Sequence, residues 1–249
     1  MATQSFNPAI PQRRDWGAAW RALRRLLADG NDTVQVFHIM RALNGGNSQR
    51  GYHRLLQTPD GGRLAYERAE LAARFADRTW IDSFPEGTVG AAYRAFLDRT
   101  GYSADGLVEV SVTDTDYPRD LEHPYAWYGR RERDVHDIWH ILTGYQADEP
   151  LGEACLVAFS YAQTKGLGWA FIAGGAAAKS LKITRSRAFA RAVAEGYRNG
   201  RRAAWLPAED YLRLMAEPIA EARARLRIPE PHLYRAAQDQ LRTIGKTGI

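Results

Sequence analysis

Two histidines four residues apart, His136 and His140, can aim both imidazoles at one point if the segment around them is helical, because residues at that spacing share a helix face. The run from Tyr128 to Tyr145 contains no proline and reads as one helix. Asp137 borders the same face, and Glu153 follows downstream in Leu151-Gly152-Glu153. Two imidazoles and carboxylates form a mixed nitrogen and oxygen shell for a divalent metal, with zinc the best fit and ferrous iron next. In such a shell Asp137 is either a further ligand or an acceptor that orients His140. With three side chains ligating, one position stays open for water or substrate, where a metal polarises an oxygen or acidifies a water. Arg133, one turn before His136, is either a partner for an anionic substrate group or a solvated surface arginine.

Neighbouring motifs are excluded by single residues. A zincin protease needs glutamate directly after its first histidine, and here that place holds Asp137. A His-Asp phosphohydrolase needs a second set of ligands, which the scattered His38, His53, His123 and His232 do not supply. The glycines before Lys179-Ser180 evoke a phosphate-binding loop, but Ala178 stands where that loop requires glycine. Cys155, the single cysteine, permits no intrachain disulfide and reads as a small core residue.

The run HDIWHILTGYQADEPLGEACLVAFSYAQ, residues 136–163, resembles the ubiquinone (coenzyme Q) biosynthesis protein 4 family, whose hallmark is HDxxH followed by Gly-Glu. Twelve residues separate His140 from Glu153, one more than the family pattern carries, and the extra residue falls within 146–150. Glu149 is therefore the alternative ligand to Glu153. Two further stretches are similar to the family. One is Phe84-Pro85-Glu86-Gly87-Thr88-Val89-Gly90 with the helix after it, where Phe84 replaces a usual leucine and Ala104 a common proline. The other is the segment 205–228 with its late proline and arginine-rich end. The resemblance covers about residues 70–230.

This resemblance implies an all-helical domain with an apolar tunnel for an isoprenoid tail beside the metal-motif helix. It implies His136, Asp137, His140 and Glu153 as metal-site and catalytic residues. The activity implied is oxidative decarboxylation, with hydroxylation, at ring C1 of a polyprenyl-hydroxybenzoate precursor. The implied partners are that prenylated precursor and the other ubiquinone-biosynthesis proteins, met at a membrane surface. A noncatalytic prenyl-lipid scaffold with a structural metal is the rival reading.

Composition sets the frame for these expectations. The chain has 249 residues, 45% hydrophobic and 25% charged, enough for one large helical domain over 1–249 with flexible ends at 1–14 and 243–249. No secretory leader is visible, and the apolar stretch 166–178 is too short for an ordinary membrane span. A cytoplasmic protein, peripheral on the inner face of the membrane, is expected, with a homodimer unsurprising. The net charge of +5 rests on arginines spread along helices, with pairs at Arg24-Arg25, Arg130-Arg131 and Arg201-Arg202. No nucleic-acid-binding module accompanies them, so they read as solvated faces, or else as contacts for anionic lipid headgroups.

Periodicity predicts helices over 15–30, 34–43, 63–75, 88–99, 151–164, 185–197 and 208–226, the last kinked or divided at Pro218. Trp16, Trp20, Leu23 and Leu27 form one stripe of the first helix, read as core-packing, with a membrane interface as the other use of such a stripe. The alternating segment 107–115 reads as extended linker, having no partner strand. The fold class is all-α.

Overall fold

Caps chosen by the sequence set several helix boundaries. Asp15, Asp77 and Thr88 accept hydrogen bonds from the backbone N–H three residues on, at 2.8, 3.1 and 3.2 Å, and so open three helices. Gly101, ending the helix that Thr88 opens, and Gly144 close two helices in the left-handed conformation. The computed structural model describes residues 13–30, 32–102, 123–184 and 186–243. Among them are fifteen α-helices and no strand, the all-α architecture expected. In chain order these are α1 (Trp16–Ala28), α2 (Val34–Leu43), α3 (Asn47–Leu55), α4 (Gly61–Glu67), α5 (Leu71–Ala76), α6 (Arg78–Asp82), α7 (Val89–Thr100) and α8 (Pro124–Asp134). There follow α9 (His136–Thr143), α10 (Pro150–Thr164), α11 (Leu167–Thr184), α12 (Ala188–Arg202), α13 (Tyr211–Leu214), α14 (Ile219–Arg225) and α15 (His232–Thr243).

The core forms around α10, whose Leu151, Ala154, Cys155, Leu156, Phe159 and Ser160 are buried. Cys155 is the core residue its composition implied. Helices α11, α12 and α15 pack against α10. On the other side, α9 lies between α7 and α14. A smaller cluster of Leu55, Leu64, Ala65, Trp127 and Tyr128 joins α3 and α4 to α8.

Several expected boundaries shift. The segment expected as one helix from Tyr128 to Tyr145 is interrupted at Val135, so His136 begins its own helix. The stretch 63–75 divides at Arg68, which adopts a left-handed conformation at φ 44°. The region 208–226 is divided: α13 ends at Leu214, and Pro218 stands immediately before α14. Periodicity did not announce α3 or α15, and α11 extends the apolar stretch into an 18-residue helix.

The stripe of α1 is corrected in part. Ala19, Ala22 and Leu23 are its buried residues, while Trp16 and Trp20 are exposed. The segment 107–115, and the proposed flexible ends apart from residues 13, 14 and 243, lie outside the described residues. The tunnel expected beside the motif helix is not seen among the described residues. Small hollows there lie against Trp127, Arg131 and Tyr211, and at the C-terminal end of α9 against Thr143, Arg223 and Pro231. Side chains fill the interior of α9 instead: Ile138, Trp139 and Leu142 are all buried.

Candidate metal centre

Helix α9 presents His136 and His140 one turn apart, their ring centroids 4.9 Å apart and the rings nearly perpendicular. Glu153, in the first turn of α10, reaches across to both. Its Oε1 lies 3.2 Å from His140 Nε2 and its Oε2 lies 3.5 Å from His136 Nε2. All three side chains offer donor atoms within 4.8 Å of one another. Two donors bound tetrahedrally to zinc at about 2.1 Å sit roughly 3.4 Å apart, which the two Glu153–histidine distances match.

A second observation agrees. His140 Nε2 is buried and makes no well-aligned hydrogen bond, the Glu153 approach being a charge contact. Its other nitrogen, Nδ1, lies 2.9 Å from the Tyr145 carbonyl oxygen. That contact fixes the proton on Nδ1 and leaves Nε2 as the free donor, the arrangement by which metal-binding histidines are usually held. The orienting acceptor is thus the Tyr145 carbonyl.

Electrostatics follow from the crowding. Burial works to raise the Glu153 carboxyl, but the two imidazoles, His140 foremost, outweigh it and hold the group well below the usual carboxylate range. Burial opposes a charged His140, yet Glu153, Asp137 and the Tyr145 carbonyl hold its pKa above the ordinary imidazole value. Asp137 is buried, and burial raises its carboxyl, with both imidazoles pulling the other way. It stands beside the three-residue group and is not among the donors that converge.

The loop between the two helices explains how Glu153 arrives. Gly144 ends α9 at φ 76° and turns the chain so that Tyr145 faces back to His140. Gly152 then lets the start of α10 pack on that loop: a Cβ there would stand 2.0 Å from the Gln146 carbonyl oxygen. Glu149 is committed elsewhere. Its Oε1 accepts from the Tyr234 hydroxyl and, at 2.8 Å, from Gln238 Nε2, both on α15. The structure brings together His136, His140 and Glu153, and the extra loop residue is absorbed without displacing Glu153.

Aromatic rings wall the group. Trp169 of α11 stacks on His136 at 5.8 Å with a 6° interplanar angle, and Phe96 of α7 stacks on His140 at 6.3 Å. Phe96 is delivered by the second motif. Gly90, whose added Cβ would lie 2.3 Å from the Phe84 ring, allows the start of α7 to sit against Phe84. The Val89 and Gly90 amides then donate to the carbonyls of Glu217 and Met215 at 2.9 and 2.8 Å. Tyr102, half exposed, packs edge-on to Phe96 at 6.0 Å. Burial raises its phenol, and the negative charge of Glu153 adds to that. Sequence reasoning missed Phe96, Tyr102, Trp169 and the Tyr145 carbonyl, none of which carries a spacing signal. Arg133 is half-buried and holds Asp134, with Nε 2.8 Å from Oδ1.

Residues 40–232 match the family model described as coenzyme Q (ubiquinone) biosynthesis protein Coq4. The chain belongs to this family. The mitochondrial ubiquinone biosynthesis protein COQ4 homolog of Danio rerio is 30% identical over 181 residues, covering 72% of this chain and 63% of its own length. The corresponding protein of Bos taurus is 29% identical over 222 residues, covering 84% of this chain and 79% of its own length. That of Pyricularia oryzae is 34% identical over 110 residues, covering 44% of this chain and 34% of its own length. The chain thus spans less than two thirds of the Danio and Pyricularia relatives. A crystal structure of a Nostoc punctiforme protein titled for ubiquinone biosynthesis superposes with a TM-score of 0.61 at 24% identity, over 88% of this chain and 100% of that one. That likeness carries the fold. The histidine pair and Glu153 lie inside the part of the chain that matches the Coq4 family.

Proposed function

We propose that this Coq4-family chain acts in ubiquinone biosynthesis as a metal-dependent enzyme, replacing the C1 carboxylate of a polyprenyl-hydroxybenzoate precursor by hydroxyl. The convergence of His136, His140 and Glu153 carries this reading, because an unbonded buried imidazole nitrogen beside an ionised carboxylate is costly unless a cation joins them. Zinc fits the donor set best, and iron is the alternative. The group held there would supply Lewis-acid polarisation of the substrate's carboxylate or phenolate oxygen.

The chain's own residues do the rest. Glu153, held ionised, is a donor of electrons and no source of protons. The buried Asp137, its carboxyl raised, can hold a proton beside the site. Trp169 and Phe96 form flat apolar walls that suit an aromatic ring and exclude water. In the overall change the bond from C1 to the carboxylate breaks, CO2 leaves, and an oxygen enters the ring. That carbon is oxidised, so an oxidant from outside the chain is required.

His136 and Glu153 are partly exposed while His140 is buried, which leaves the group accessible from one side, as catalytic sites are and closed structural sites are not. The scaffold reading is tested alongside. Purified chain turning over a short-tailed precursor, with turnover lost in His140→Ala, supports the enzyme. Full ubiquinone synthesis supported by His140→Ala would remove the metal role. The family's setting further suggests that the chain works with the other ubiquinone-biosynthesis proteins at a membrane surface; a cytoplasmic location and a homodimer are proposed from the sequence, the named relatives being mitochondrial. Among the described residues no helix is long and apolar enough to cross a membrane.

A further inference from the structure

Behind His136, where α3 packs on α8, polar atoms are shut in without partners. Glu132 stands four residues before His136, and its Oε1 is cut off from solvent and makes no hydrogen bond. Val135 interrupts the helix between them. Its backbone keeps right-handed dihedrals, and its N–H still reaches the Arg131 carbonyl at 3.2 Å, so the two side chains stay on one side. One turn earlier, Tyr128 is fully buried, and its hydroxyl faces the Glu132 carboxyl without a well-aligned hydrogen bond. Gly51 of α3 closes the space: a Cβ there would stand 2.6 Å from that hydroxyl. Asn47, one turn back on α3, is buried too, and its Oδ1 has no partner. Asn47 reaches the edge of the metal group. A Cβ on Gly166 would lie 3.3 Å from Asn47 Nδ2 and 3.1 Å from the Trp169 ring, which stacks on His136.

A carboxyl enclosed in this way keeps its proton unless a cation faces it. The cations around Glu132 are engaged elsewhere. On α8, Arg130 forks onto Glu70, Arg131 donates to the carbonyls of Pro207 and Glu209, and Arg133 holds Asp134. On α3, Arg50 donates to the Gly45 carbonyl, Arg54 lies over the Trp205 ring, and His53 meets the Tyr125 hydroxyl. On α5, Arg74 pairs with Asp77, and His136 of α9 turns to Glu153. The titratable groups left to face Glu132 are the phenols of Tyr128 and Tyr211, both kept protonated by burial. Burial pushes the Glu132 carboxyl up to about 8, with the Tyr128 hydroxyl pulling the other way. Asp137 differs, because both imidazoles draw its proton off.

We infer that Glu132 is the proton reserve of the metal site, supplying the proton that the product's phenolic oxygen takes up as carbon dioxide leaves. The inference rests on the enzymatic reading above. Once a two-electron oxygen-transfer oxidant has put hydroxyl on C1, the ring oxygen conjugated with it is a carbonyl. The C1–carboxylate bond breaks, CO2 leaves without the bonding pair, and the pair passes through the ring to that oxygen, which becomes phenolate. The Glu132 O–H bond then breaks, the phenolate takes the proton, and the carboxylate left behind regains one from solvent. Side chains one turn apart have Cβ atoms about 5–6 Å from each other, a gap that the reach of a glutamate and one water span.

Infrared difference spectra of the full chain, wild type against Glu132→Gln, read the reserve without turnover. In metal-free chain a protonated-carboxyl band should stand at neutral pH and fade as pH rises through about 8. Tyr128→Phe should move that midpoint upward, since the lost hydroxyl favoured the carboxylate. Bound zinc should move it downward, its charge acting one turn away. With a short-tailed precursor, Glu132→Gln should lower kcat by about a hundredfold, keep KM and zinc content, and lose the alkaline limb of the pH profile. Glu132→Asp, which still carries a proton, should recover part of kcat together with that limb; a merely structural glutamate would be replaced better by glutamine. No band at neutral pH, a band that zinc leaves unmoved, or wild-type kcat in Glu132→Gln would overturn the inference. Zinc-bound wild type without turnover would sink the enzymatic reading alone if the band still responds to zinc, and both readings if it does not.

Discussion

His140 carries two opposed demands that a metal would reconcile. Buried and held near Glu153, it takes up a proton more readily than an ordinary imidazole, yet ligation needs its Nε2 bare. Proton and metal therefore compete for one atom. In the metal-free chain the raised His140 contributes stability that is present below its unfolded pKa and lost as pH rises through its folded pKa. Glu153, depressed, contributes stability that is present above its unfolded pKa and lost as pH falls through its folded one. Metal-free chain should thus be most stable in mildly acidic buffer, between the ordinary carboxylate and imidazole values, and lose melting temperature towards pH 8. Added zinc should raise the melting temperature little in mild acid and increasingly as pH rises. Thermal melts with and without zinc across that range check this; a zinc effect that shrinks with pH would contradict it. Glu153 and Glu149 are separated by the same assay. Glu153→Gln should weaken metal binding by more than the roughly ten- to hundredfold loss that changing a group behind a ligand causes, whereas Glu149→Gln, whose carboxylate faces α15, should keep it.

At the scale of elements, the site depends on two helices meeting at a fixed angle and depth. The depth is set at Gly152, because the Gln146 carbonyl occupies the space a side chain would need. Gly152→Ala should force the start of α10 away from the loop, cost about 1–3 kcal/mol of stability, and release metal more easily although no ligand has changed. Zinc titration and denaturant melts on the same sample would show it, and unchanged metal affinity would mean the loop does not place Glu153. The angle is held at the C-terminal end of α9, where Arg223 donates to the carbonyls of Leu142 and Ile141 at 2.9 and 2.8 Å. These dependencies mark what the sequence could say. The histidine face was legible because residues four apart must align on any helix, and the Gly-Glu step because it fits a family pattern. The break at Val135 was not, since no proline or glycine announces it. Phe96 and Trp169 were hidden for another reason: their contacts close over long chain separations, which periodicity does not encode. Trp16 and Trp20 were placed on the right stripe but the wrong side of it, because the core boundary falls at Leu23 and a wheel does not say which neighbour covers which edge.

Across the whole molecule, the C-terminal helix completes the site it does not touch. Glu195 of α12 accepts from the Leu233 and Tyr234 amides, both at 3.0 Å, and so seats the start of α15. From there the Tyr234 hydroxyl donates to Glu149 and accepts from the Gln146 amide at 3.0 Å, and its ring meets Tyr145 edge-on at 5.1 Å. Tyr145 in turn holds His140 through its carbonyl. A chain of contacts thus runs from α12 through α15 and the loop to the metal group. Tyr234→Phe keeps the ring but removes the hydroxyl. It should lower stability by about 1–2 kcal/mol, because the Glu149 carboxylate and the Gln146 amide lose a partner together. Metal affinity should fall by a smaller factor than in Glu153→Gln, since the ligands stay and only the support of the loop weakens. A Tyr234→Phe chain with lowered melting temperature and wild-type zinc affinity would confine α15 to stabilising the fold; a fall in both would show that the loop transmits its seating to His140.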